Sequence, residues 1–171
     1  MLVKEKIGNL KAAAIGNQTI DWLDLQWYEA NKRIMHKRSR SGTEVVMKFL
    51  NENQNLTQDD ILYQDNENII AINILACEVL IIKPKNMFEM ASICYEIGNK
   101  HLPLFYQDDE VLVAFDAPLF RLISSSGYEA EKGERKLINP LRTSVAAHGH
   151  ASSGSSETLF SKIMRLTNSQ E

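Results

Sequence analysis

The hydrophobic period of this chain changes partway along, and that change restricts what it can fold into. Up to about residue 75, apolar residues sit at strand spacing among turn residues, and no stretch repeats with helical period. Thr19 to Leu25 places apolar side chains at Ile20 and Trp22, then at Leu23 and Leu25, and this break in parity predicts a bulge or corner. Trp27 to Arg38 reads as one long strand that pairs with Glu44 to Leu50 across the Ser41-Gly42 turn. Residues 51 to 60 are a loop by composition. Ile61-Leu62-Tyr63 and Ile69 to Ile74 flank Asp65-Asn66-Glu67-Asn68, a second hairpin signal. Residues 1–70 are therefore expected to form a small all-β domain.

From about residue 69 the order becomes strand, helix, strand, strand, helix, strand. Ile72 to Ile82 predicts a largely apolar strand ending before Lys83-Pro84. Asn86 is placed to cap the next helix, with Glu89 three residues on as its capping-box partner. Met90, Ile93, Cys94 and Ile97 share one face of that helix. Gly98 and Asn99, which tolerate the left-handed conformation, are expected to stop it. Leu102 to Tyr106 and Val111 to Phe115 predict a hairpin across residues 107–110. Asp116 caps a short helix with Pro118 in its first turn and Gly127 at its close, and Tyr128 to Ile138 supplies a polar last strand. That order is the split βαβ, or ferredoxin-like βαββαβ, arrangement. The fold class is thus α+β, with the ferredoxin-like domain expected over residues 71–140.

Beyond Pro140, residues 141–171 read as a flexible tail. His148-Gly149-His150-Ala151-Ser152-Ser153-Gly154-Ser155-Ser156 is a low-complexity linker. Glu157 to Thr167 could form one or two helical turns with Leu159, Phe160, Ile163 and Met164, too short to be stable alone in water.

Composition narrows the classes. A net charge of −3 gives no support to a nucleic-acid or membrane-surface partner. No apolar run approaches the roughly 20 residues that span a bilayer, and the start lacks a secretory signal core. Cys77 and Cys94 are too few and too far apart for a disulfide framework or a Cys-x-x-Cys site, so both are expected as buried thiols in a reducing cytoplasm. No Gly-rich phosphate loop and no Ser/His/Asp or Cys/His set is present, and Ser124-Ser125-Ser126 reads as a helix end.

His101, just past a helix stop, is the chemically interesting residue. A lone histidine there is commonly solvated, yet imidazole is a preferred ligand of Ni, Cu and Zn. One such residue per chain cannot make a site, but two related by a dimer axis could begin one. His148 and His150, spaced i, i+2 around a glycine, could both turn toward one ion. His36 lies in a basic strand and is expected to be solvated. Lys32, Arg33, Lys37, Arg38 and Arg40 suggest either docking to an acidic partner or a solvated hairpin face, and the latter is the simpler reading.

These segments together resemble the UreE family, the urease accessory proteins that carry nickel. Gly98-Asn99-Lys100-His101 looks like the family's Gly-Asn-(Arg/Lys)-His motif. Asp21-Trp22-Leu23-Asp24-Leu25-Gln26-Trp27-Tyr28-Glu29, the basic strand, and Arg38-Ser39-Arg40-Ser41-Gly42-Thr43-Glu44-Val45 follow its strand-turn-strand pattern. Leu56-Thr57-Gln58-Asp59-Asp60-Ile61-Leu62 is similar to its Leu-x-x-Gly-Asp-x-Leu turn, with Asp59 where the family usually has Gly. Residues 70–75 and 79–82 match the strand entering its second domain, so the resemblance covers about residues 1–138.

The resemblance implies a cytosolic homodimer, joined through the second domain, that carries Ni(II) between two copies of His101. It also implies that tail histidines (His148 or His150) join that site, and that the ion goes to apo-urease with a GTPase partner. Zn(II) suits imidazole equally. No catalytic turnover is implied. The competing reading from another class is a dimeric ferredoxin-like regulatory module that binds a small effector.

Overall fold

The computed structural model describes residues 1–50 and 55–141. The first half is built of two sheets. Strands β1 (Leu2–Val3), β5 (Glu44–Lys48) and β4 (Ile34–Arg38) form one, in the order β1-β5-β4. Strands β2 (Gly8–Asn9), β6 (Asp60–Gln64), β7 (Asn68–Ile74) and β3 (Thr19–Leu25) form the other, in the order β2-β6-β7-β3. Leu23, Leu25, Val45, Met47, Phe49, Ile72 and Ile74 fill the core between them.

Several expectations are corrected here. β3 is not bulged: it runs parallel to β7 in unbroken register from Thr19↔Asn68 to Leu25↔Ile74. Its parity breaks because both of its faces are covered. Leu23 and Leu25 enter the main core, while Ile20 and Trp22 pack on a second cluster around Ile61 and Ile69. The irregularity lies instead in β6, between Ile61 and Tyr63. Nor is Trp27 to Arg38 one strand. Trp27–Glu29 is a 3-10 turn, and only Ile34–Arg38 pairs with β5.

The single strand expected over residues 72–82 is two. β7 belongs to the first half, and β8 (Cys77–Ile82) starts the second sheet, so the change of sheet falls at residues 75–76, later than the boundary expected after residue 70. Helix α1 (Met87–Asn99), strands β9 (Phe105–Gln107) and β10 (Glu110–Ala114), helix α2 (Ala117–Ser125) and strand β11 (Ala130–Arg135) follow. The sheet order is β11-β8-β10-β9, all antiparallel, which is the ferredoxin-like topology.

The apolar run Val79 to Ile82 is continuous because β8 is buried on both sides. Successive side chains alternate across a strand. Leu80 and Ile82 meet the helices, while Val79 and Ile81 meet Phe105, Leu112, Leu137 and the edge of Trp27 from the first half. Asp108 and Asp109, with φ of 50° and 62°, make the tight turn that joins β9 to β10.

Residues 136–140 strap the halves together. Leu137 enters the cluster under the second sheet, and Ile138 packs on the first core. Lys136 Nζ donates to Asn73 Oδ1 at 2.6 Å and to Gln58 Oε1 at 3.2 Å, and Thr57 Oγ1 donates to the Ile138 carbonyl. Trp27 stands edge-on to Phe105 with ring centroids 5.6 Å apart. Asp24 accepts a two-pronged bond from Arg40 and a third from Asn73, and the Arg40 bonds hold its carboxyl below the usual carboxylate range.

Candidate metal centre

The end of α1 explains where His101 stands. Asn86 caps the start, its side chain accepting from the Glu89 amide at 2.9 Å, while the Glu89 carboxylate reaches back to the Lys85 amide. Ile93 and Ile97 are fully buried on the inner face. At the other end the Leu102 amide donates to the Ile97 carbonyl at 3.3 Å and the His101 amide to the Gly98 carbonyl at 2.9 Å. These two bonds, i+5 to i and i+3 to i, are the Schellman closure, and they require a left-handed residue at the position before Leu102.

That residue is His101, with φ of 54°. Gly98 and Asn99, expected to take the left-handed conformation, are ordinary helix residues instead. Gly98 to His101 are all exposed, and Leu102 packs back against the core cluster that contains Ile97. The imidazole thus sits on a backbone turn held by buried Ile97 on one side and half-buried Leu102 on the other. A helix C-terminus carries partial negative charge that favours cations; Lys100, at the cap position, already brings one positive charge there.

Among the described residues, no group of three or more His, Cys, Asp or Glu side chains is arranged to hold an ion. His148 and His150 lie outside the described residues. Cys77 and Cys94 are half-buried free thiols, and burial pushes both thiols up, so neither is poised as a thiolate. His36 is exposed on β4. Around it the basic stretch is largely neutralised from within. Lys37 and Lys32 lie 2.7 and 3.9 Å from Glu29, Arg38 2.6 Å from Glu44 and Arg40 2.8 Å from Asp24. A solvated, self-paired face fits these contacts better than an acidic-partner patch.

A feature that sequence reasoning passed over is the outer face of α1. Met87, Phe88 and Tyr95 are 84%, 77% and 69% exposed. Phe88, Ala91, Ser92 and Tyr95 line a shallow cleft of about 500 Å³ against Ser126 and Tyr128. The i, i+3, i+7 spacing of Phe88, Ala91 and Tyr95 was a visible signal, overlooked because the inner stripe through Ile93 and Ile97 already accounted for a helix.

Fold and site define a two-part α+β protein: an all-β half strapped to a ferredoxin-like half that holds a histidine at an exposed helix end. The sequence pattern of the UreE urease accessory protein N-terminal domain matches residues 3–75, and that of the C-terminal domain matches residues 77–158. The urease accessory protein UreE of Flavobacterium johnsoniae is 45% identical over 166 residues, 97% of this chain and 99% of that protein. The UreE proteins of Actinobacillus pleuropneumoniae and Acetivibrio thermocellus are 44% and 33% identical, each over 153 residues, covering 87% and 90% of this chain and 81% and 99% of those proteins. The chain belongs to the UreE family of urease accessory proteins. Its role therefore lies in urease maturation, as an accessory chaperone and not as an enzyme.

Proposed function

We propose that this chain is a cytosolic nickel metallochaperone that carries Ni(II) to apo-urease, in company with a GTPase partner. The observation that carries the reading is His101, fixed by backbone hydrogen bonds at the exposed end of a helix whose outer face is apolar. One imidazole binds a divalent ion weakly, so the site is completed by a second copy of the chain. The exposed Met87, Phe88 and Tyr95 support a homodimer through the second domain, since burying them against a partner removes apolar surface from water. Gly98 supports it too. A glycine inside a helix costs roughly 0.5–1 kcal/mol relative to alanine, and among the described residues nothing lies within 4 Å of where its Cβ would be. A close approach by another chain is a physical reason to keep it.

In this reading the two His101 side chains found the site, and His148 or His150 adds ligands from the tail. Such a site is open and labile, unlike a closed structural zinc cage, and suits an ion that must be handed on. Zn(II) fits the same imidazoles, so occupancy depends on supply as well as affinity. The β domain serves partner docking, and neither nucleic acid nor membrane is a partner.

Calorimetric titration with Ni(II) tests this. Wild-type protein should bind one tight ion per two chains, and acidification should weaken it because the ligand is neutral imidazole. His101→Ala should lose that ion and stay dimeric, while removal of residues after Pro140 should weaken binding without abolishing it. Undiminished one-per-chain binding by His101→Ala would leave His101 an ordinary surface histidine.

The effector-binding module keeps one observation in its favour, a cleft of about 380 Å³ between the halves, lined by Trp27, Leu56, Phe105 and Ile138 among others. Such a module would take up no stoichiometric Ni(II), so the same titration separates the two.

A further inference from the structure

The four residues from Gly98 to His101 are exposed, so burial of their own side chains does not fix the path of this turn. Two anchors do. Ile97 is fully buried in the core of the ferredoxin-like half, and Leu102 packs on the same cluster, which also includes Leu104, Ile93 and Ile123. Between them run the hydrogen bonds from the Leu102 amide to the Ile97 carbonyl and from the His101 amide to the Gly98 carbonyl. The left-handed conformation of His101 is disfavoured for a residue with a Cβ and persists only where its surroundings impose it.

We propose that Leu102 is a positioning residue for metal binding. Half-buried against the core one residue beyond His101, it holds His101 in the left-handed conformation that aims the imidazole at a shared ion. The proposal rests on the reading of His101 as a ligand. If Leu102 lets go, the bond to the Ile97 carbonyl frays and His101 relaxes into a commoner backbone region. The imidazole then swings away from the place where two chains must present it together. Outer partners that orient a metal-binding histidine typically change affinity by tenfold to a hundredfold. Here the orienting element is an apolar side chain and a backbone turn instead of a hydrogen-bonded carboxylate.

The test uses the full chain, with Ni(II) alone as the probe, at a temperature well below unfolding. Leu102→Ala should weaken the one-per-dimer ion about tenfold or more, and amide exchange at His101 and Leu102 should accelerate while the helix interior stays protected. Leu102→Met, which can refill the same pocket, should recover most of the affinity. Where Leu102→Ala proves too unstable to titrate, Leu102→Val is read in the same way, with a smaller loss expected. Wild-type affinity in a folded Leu102→Ala or Leu102→Val protein would overturn the proposal and leave Leu102 as core packing only. His101→Ala is run alongside. If it retains the ion, the reading of His101 as ligand has failed; if it loses the ion while the Leu102 variants keep it, only the positioning role has failed.

Discussion

The two helices of the ferredoxin-like half end in the same way but with different residues at the key position. At the end of α2, the Tyr128 amide donates to the Ile123 carbonyl and the Gly127 amide to the Ser124 carbonyl, and Gly127 has a φ of 82°. At the end of α1 the same two bonds run from Leu102 to Ile97 and from His101 to Gly98, and the left-handed residue is His101. In both, a fully buried isoleucine lies on one side of the turn and a half-buried side chain on the other. The backbone demand is identical. Glycine meets it at no steric cost, whereas a residue with a Cβ gives up about 1–2 kcal/mol. The α2 end shows what the fold needs; the α1 end carries a side chain the fold does not need. A stability cost accepted at an exposed position is the pattern expected of a functional residue.

The largest effect that would break this contrast concerns metal. Gly127→Ala should leave Ni(II) binding untouched, while His101→Ala removes the tight site altogether, as calorimetry would show. Next come the buried anchors. Ile97→Ala and Ile123→Ala should each destabilise by about 2–5 kcal/mol in denaturant unfolding, but only the first should also weaken the ion. Equal effects of the two on affinity would mean that helix docking in general, and not the α1 turn, matters.

Transplanting the side chain sharpens the point. Among the described residues nothing lies within 4 Å of where a Cβ on Gly127 would stand, and Gly127 is exposed, so Gly127→His should cost about the conformational 1–2 kcal/mol. The reverse change, His101→Gly, should stabilise the metal-free protein by up to about 1 kcal/mol while abolishing the site. Opposite signs for stability and binding at one residue would be hard to reconcile with a merely structural histidine. A loss of stability in His101→Gly would show that the imidazole itself holds the turn.

The smallest effect lies in the first half. Asp59, which stands where the family usually has glycine, has a φ of 69°. Its neighbour Asp60 is buried and accepts from Lys6, Asn9 and the Thr57 amide. The turn therefore wants a left-handed residue, and aspartate is among the side chains that tolerate it. Asp59→Gly should stabilise the protein slightly, by about a few tenths of a kcal/mol seen as a small rise in melting temperature, with no change in metal binding.

Much of the architecture was legible from residue to residue. Asn86 and Asp116 cap the helices they were expected to cap, since a cap is decided within four residues of chain. The order of strands and helices in the second half followed from period and turn signals, and its ferredoxin-like topology is the arrangement observed. His101 was singled out by its place after a helix stop and by the motif around it. Missed were the apolar outer face of α1, hidden behind a stronger inner stripe, and the strap at residues 136–140, which looked like the plain end of a polar strand.

Amino-acid sequence by itself determined the order of elements in the second half, the helix starts, the family and the identity of the candidate ligand, because each is encoded in contiguous residues. Only the tertiary structure decided that residues 72–82 divide between two sheets, that β3 lies parallel to β7, and that the left-handed residue is His101 and not Gly98. Those outcomes depend on distant partners: a strand takes the sheet that covers both of its faces. A helix, likewise, closes where the next apolar side chain, here Leu102, can reach the core.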